Sequence, residues 1–136
     1  IAEVMPQLIE FLGHHPLVAH NAGFDKRFLD AECARNGHRR CQEMACSMLL
    51  SRRVYPDAPN HTLAGLVHYK RLPTDGVHHR ALADAEMTAH LWLGLLQELK
   101  DQHALRHLPF ELLLQLTTIP RKKMSAFLAR VAAEQG

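Results

Sequence analysis

The stretch LVAHNAGFD at residues 17–25 decides the fold class. Leu17, Val18 and Ala19 follow Pro16 as an apolar run too short for a helix, and they read as a buried strand that ends at His20. Beyond it, the spacing of Phe24, Phe28, Leu29 and Cys33 predicts a helix from Phe24 to Asn36, with Asn36-Gly37 as its stop signal. In α/β folds, sites gather where a strand ends and a helix begins. Asp25 stands at that junction, in the first turn of the helix. A carboxylate there either faces a cation or complements the positive end of the helix dipole.

Outward from this stretch, Val4, Leu8, Phe11 and Leu12 recur at helical spacing over residues 3–12, with Gly13 as the stop. Met44, Ala45 and Cys46 form a second strand candidate leading into Ser47, the expected N-cap of a helix carrying Met48, Leu49 and Leu50. Pro56 and Pro59 enforce a loop, residues 62–69 suit a short helix with Leu63, Leu66 and Val67 inward, and residues 70–79 are irregular. The longest helix is predicted from Arg80 to Leu99, with Leu82, Ala85, Ala89, Leu93 and Leu96 as its buried stripe. Two more helices, 109–117 and 121–133, are separated by Pro120. About seven helices thus accompany two short strands, which alone make at best a marginal sheet. The expectation is a helix-rich α/β fragment lacking the N-terminal strands of its sheet, because buried parallel strands need neighbours on both sides.

The chain has 136 residues, 47% hydrophobic and 22% charged, the mix of one globular domain that needs no disulfide or metal staple. No apolar run approaches the length that crosses a bilayer and no signal peptide is visible, so the expected location is the cytoplasm, without membrane contact. Cys33, Cys41 and Cys46 match no zinc or redox spacing and read as free, mostly buried thiols. A net charge of +2 implies a short grip if nucleic acid is bound, with local basic clusters at Arg35, Arg39 and Arg40 and at Arg121, Lys122 and Lys123. Of the 11 histidines, His14, His15, His38, His68, His103 and His107 show no paired ligand spacing and read as surface residues.

HRALADA at 79–85 is a second constellation. His79 and Asp84 are five residues apart and do not share a helix face, so His79 is expected in a loop with Asp84 on the helix wall. A loop imidazole near neutral pH suits a general base beside a carboxylate-held metal, although an isolated His-x4-Asp more often marks a surface histidine and a solvated aspartate. HNAGFD after a strand, followed by HRALADAEMTAH opening a long helix, resembles the second and third motifs of the DEDDh 3′–5′ exonucleases, and is most similar to the proofreading epsilon subunit of bacterial DNA polymerase III. The resemblance covers about Ile1 to Leu99.

The resemblance implies a ribonuclease H-like fold and hydrolysis of phosphodiesters at 3′ ends. It makes Asp25 and Asp84 ligands of two Mg²⁺ or Mn²⁺ ions and His79 the catalytic base. It also places His20, Asn21 and Phe24 near the terminal nucleotide. Bland readings stand beside these: Phe24 as a core anchor, Asn21 as a turn former bonding local backbone, and His61 or Thr62 as an N-cap. His78 and His90 lack the required offset from Asp84. The family's first motif, an Asp-x-Glu on the opening strand, is nowhere in these residues; Asp30-Ala31-Glu32 lies in a helix, on the side expected to face solvent. Two carboxylates alone hold Mg²⁺ weakly, so the isolated chain is expected to be inactive or nearly so.

Residues 1–101 are thus read as the C-terminal part of an exonuclease domain and 102–136 as a helical extension. LPFELLLQL within the extension has an apolar face that packs on the domain or awaits a partner, and the following RKK reads as a solvated helix start or a phosphate contact. The expected substrate is a single-stranded or frayed DNA 3′ end, with RNA as an alternative, and a DNA polymerase subunit is the expected partner. Two rivals remain. An HD-type phosphohydrolase would need a His-Asp dipeptide, and the chain has none. A non-catalytic module docking to a polymerase or another partner would need no complete metal site.

Overall fold

Pro16 and the turn at Gly13 set the first strand in a computed structural model, which describes residues 4–74 and 81–136. Gly13 closes helix α1 (Met5–Leu12) at φ 55°, a conformation in which a side chain would be strained. Strand β1 (Leu17–Ala19) follows and runs parallel to β2 (Met44–Cys46), with Leu17 opposite Met44 and Ala19 opposite Cys46. Between them lies helix α2 (Ala22–Arg35), and after β2 come α3 (Ser47–Val54), α4 (Leu63–Lys70), α5 (Ala81–His103), α6 (Phe110–Leu116) and α7 (Arg121–Gln135). No helix among the described residues is long and apolar enough to cross a membrane.

The core forms around α5. Its Leu91, Leu95 and Leu99, at most 1% exposed, meet Leu50 of α3, Leu66 of α4, Leu112 and Leu116 of α6 and Leu128 of α7. Each such side chain contributes about 1.5–3 kcal/mol by leaving water. The C-terminal helices therefore share the core of the preceding elements, and of the two readings of LPFELLLQL the packed one holds. Arg121, Lys122 and Lys123 are solvent-exposed. α2 packs on both strands, while α5 reaches β1 and α6 reaches β2.

Several expectations about burial are overturned. The inward stripe of α5 is Met87, Leu91, Leu95 and Leu99, whereas Leu82 and Leu93 are 74% and 63% exposed and Ala85 and Ala89 are also exposed. This helix is apolar on more than one side, so spacing alone offered two stripes and packing against α3 and α4 selected one. Phe24 is an exposed side chain of α2, not a core anchor, and Phe28, Val4 and Phe11 are exposed with it. Met5 is the buried side chain of α1, and in α2 the inward positions are Ala22, Glu32 and Cys33. Glu32, expected in solvent, is buried and accepts from Arg35 at 2.7 Å. β1 is half-buried along its length instead of buried. His38 and His103 are half-buried where surface was expected, and Cys41 is the exposed one of three free thiols.

Ser47 is not the N-cap of α3. Cys46 takes that position, and its Sγ accepts from Leu49 N–H at 3.5 Å and from Ala22 N–H at 3.3 Å, so one buried sulfur ties the starts of α3 and α2 together. Asn21 makes its turn through the backbone, at φ 65°, with no side-chain cap bond. Asparagine tolerates this left-handed conformation better than most residues. Thr62 caps α4 by accepting from Gly65 N–H at 3.0 Å, and a side chain on Gly65 would collide with the Asn60 side chain.

Candidate active site

Both parallel strands end at the same edge of the sheet, and α2 and α3 begin there. Asp25 projects from the first turn of α2 and Asp84 from the first turn of α5. They border one cavity of about 480 Å³. Val18, Ala19 and His20 form its strand side, Leu63 of α4 closes one flank, and Thr88, Ala89 and Trp92 continue the α5 wall. Asp25 is exposed and Asp84 half-buried. The cavity thus carries two carboxylates in a lining that is otherwise largely apolar, at the carboxyl ends of the strands where α/β sites form.

His20 is fixed at the cavity edge by both ring nitrogens. Nε2 lies 2.7 Å from the His61 carbonyl oxygen, which can only accept, so this nitrogen carries the hydrogen. Nδ1, 2.9 Å from Ser47 Oγ, accepts the hydroxyl hydrogen when the ring is neutral. Burial, above all, holds the His20 pKa below its ordinary value; the His61 carbonyl opposes the shift, while the His61 ring and Arg52 add to it. His61 in turn donates Nε2–H to the Tyr55 carbonyl at 2.8 Å. The chain of bonds clips the end of β1 to the start of α3 and to the loop before α4.

The structure therefore brings Asp25, Asp84 and His20 together, whereas Asn21 and Phe24 are exposed and do not line the cavity. His79 and His78 lie outside the described residues. His90 is exposed and borders a separate hollow with Glu86. Among the described residues, no group of three or more His, Cys, Asp or Glu side chains is placed to hold a metal ion. The Asp-x-Glu triplets at 30–32 and 84–86 both lie within helices. The sequence marks Ser47 only as a cap and gives no separate signal for Thr88 and Trp92. These two stand four and eight residues after Asp84, and that spacing places all three on one helix face.

Residues 1–92 match the family described as Exonuclease, RNase_T. The chain belongs to this exonuclease family. It is 32% identical to the DNA polymerase III subunit epsilon of Aquifex aeolicus over 100 residues, 73% of this chain and 49% of that protein. Identity to the PolC-type DNA polymerase III of Caldanaerobacter subterraneus is 36% over 104 residues, 74% of this chain and 7% of the polymerase. A putative bifunctional exonuclease/endonuclease protein of Mycobacterium tuberculosis is 37% identical over 110 residues, 75% of this chain and 16% of that protein. The chain thus spans half or less of these relatives. A solved structure of Exonuclease X in complex with 5′-overhanging duplex DNA aligns with a TM-score of 0.62 and 26% identity, covering 83% of this chain and 61% of that one. The fold is the ribonuclease H-like exonuclease fold in a helix-rich α/β form, as the sequence resemblance implied, and the family is that of 3′–5′ exonucleases related to the polymerase III epsilon subunit.

Proposed function

We propose that the cavity bordered by Asp25 and Asp84 is the metal-dependent centre of a DEDDh 3′–5′ exonuclease, acting on single-stranded or frayed 3′ ends. DNA is the foremost substrate, supported by the DNA in the Exonuclease X complex and by the polymerase relatives; RNA is the alternative. The observation that carries this reading is the convergence of two carboxylates from α2 and α5, distant in sequence, on one cavity.

Oxygen donors without a cysteine or histidine chelate suit hard ions, so Asp25 and Asp84 are the residues that would hold Mg²⁺ or Mn²⁺. When bound, such ions stabilise the charge that develops on a phosphodiester during displacement. His79 acts as general base and takes the proton of the attacking water, an assignment that rests on its offset from Asp84 in the sequence. His20, with both nitrogens engaged, positions the end of β1, from which the chain turns into the first turn of α2 that carries Asp25. Two carboxylates fill only part of a six-ligand shell, so the 136-residue chain by itself is inactive or nearly so.

Trp92, the single tryptophan, borders the same cavity, so terbium bound at the carboxylates is expected to luminesce on indole excitation. Asp25→Asn with Asp84→Asn should abolish the signal, and a signal unchanged in that double variant refutes the metal assignment. For the chemistry, the chain extended by a strand carrying Asp-x-Glu is expected to shorten a labelled oligonucleotide with Mn²⁺ and to lose about 10²–10⁴-fold in rate with His79→Ala. Equal cutting without that imidazole removes it as the base. A second reading, a non-catalytic module docking to a polymerase or another partner, draws on the exposed Val4, Phe11, Phe24, Phe28, Leu82 and Leu93. Terbium binding that depends on the carboxylates favours the catalytic reading over it.

A further inference from the structure

A second cleft, of about 470 Å³, opens where α7 meets α3, α4 and α5. Its cations are Lys70 at the end of α4, Arg121 at the start of α7, and Arg53 of α3. Arg53 is partly committed, donating Nε–H to the Ile119 carbonyl and Nη1–H to the Leu49 carbonyl, both at 2.9 Å. Lys70 and Arg121 are not: among the described residues the ion pairs are Arg35–Glu32 and Arg40–Asp30. The Lys70 ammonium stands 4.9 Å from the centroid of the Tyr55 ring and 6.0 Å from that of Tyr69, a placement that holds it without neutralising it. Two carboxylates, Asp57 and Glu98, also line the cleft, and Glu98 is turned to Gln102, whose Nε2–H it accepts at 2.9 Å. The first turn of α7 holds Arg121, Lys122 and Lys123, with no acidic residue and no side-chain cap. Basic side chains and helix dipole therefore add at that end, where ordinary helices place acidic residues.

The cleft is aligned with the catalytic cavity along two helices. α4 contributes Leu63 to the cavity and Lys70 to the cleft, seven residues or about 10 Å along its axis. α5 contributes Trp92 to the cavity and Glu98 to the cleft, six residues or about 9 Å. Resting on the nuclease reading, we infer that this cleft holds backbone phosphates of the nucleic acid whose 3′ end occupies the cavity, with Lys70 and Arg121 as the contacts. Helix α7, which lies beyond the family match at residues 1–92, thereby acquires a role in gripping substrate.

Binding of fluorescein-labelled DNA and RNA single strands of about 12 nucleotides to the 136-residue chain tests this, by anisotropy over a salt series with EDTA present. Lys70→Gln with Arg121→Gln should lower the slope of log affinity against log salt by about 1.4, two contacts at about 0.7 each, with whichever sugar binds. The charge-conserving pair Lys70→Arg and Arg121→Lys should leave the slope in place. An unchanged slope in the glutamine pair overturns the inference. So does an equal loss from Lys122→Gln with Lys123→Gln, whose side chains do not line the cleft. Nothing is cut in EDTA, so failure of the catalytic assignment leaves this result readable, and Asp25→Asn with Asp84→Asn should not reduce the slope.

Discussion

Ser47→Ala removes one oxygen from a position that is wholly buried, and its effect follows from the bond that oxygen makes. The hydroxyl donates to Nδ1 of His20 at 2.9 Å, while Nε2–H of the same ring is committed to the His61 carbonyl at 2.7 Å. The ring cannot turn to recover a partner without giving up the second bond. Nδ1 is then left unsatisfied in a largely desolvated place, at a cost of about 1–3 kcal/mol. Methyl for hydroxymethyl changes little else, so the loss should fall within that range instead of adding a large cavity penalty. Urea unfolding at pH 8, where His20 is neutral, measures the difference as a change in midpoint at constant slope. Thermal unfolding should fall by about 4 °C for each kcal/mol in a chain of this size. A variant within 0.5 kcal/mol of the parent refutes the reasoning, as would NMR showing the hydrogen on Nδ1 instead of Nε2.

Stability should also fall on acidification. The folded state holds the protons of His20 and His103 less firmly than the unfolded chain, chiefly through burial, so the unfolded state binds more protons and gains as pH drops through 6.5; urea midpoints at pH 8 and pH 5.5 compare the two. Leu95→Ala should cost about 2–5 kcal/mol, whereas Leu93→Ser on the exposed side of the same helix should stay within about 0.5 kcal/mol, and urea melts of the pair decide which stripe of α5 is buried. In the native protein Cys41 alone should react with a thiol reagent, with Cys33 and Cys46 following only on unfolding, as absorbance of the released dye reports. Burial, with help from Glu98 and Tyr69, pushes the Tyr55 hydroxyl up to about 12, so alkaline difference absorbance should show this phenol ionising well above the ordinary value of 10.

Strand and helix positions were legible in the residues because they depend on neighbours along the chain. Pro16 and the brevity of Leu17–Ala19 forced a strand, Asn36-Gly37 ended α2, Pro120 split α6 from α7, and the HNAGFD junction put Asp25 in a first turn. The same local order carried the family resemblance. Which side of each helix meets the core was not legible, since Phe24 and Leu93 have the composition of buried residues and stand in water. Nor was the engagement of His20 legible, for its partners are 27 and 41 residues away and one of them is a backbone carbonyl, which has no sequence signature.

Sequence by itself therefore determined, to within a few residues, where elements begin and end, and it carried the family resemblance, because turns, caps and hydrophobic spacing act over a few residues. Tertiary structure alone decided that Asp25 and Asp84 share a cavity, that one sulfur and one imidazole lock its strand edge, and that a basic cleft stands some 10 Å along α4. Burial and charge facing are properties of what packs opposite a residue, and that is set by the fold as a whole.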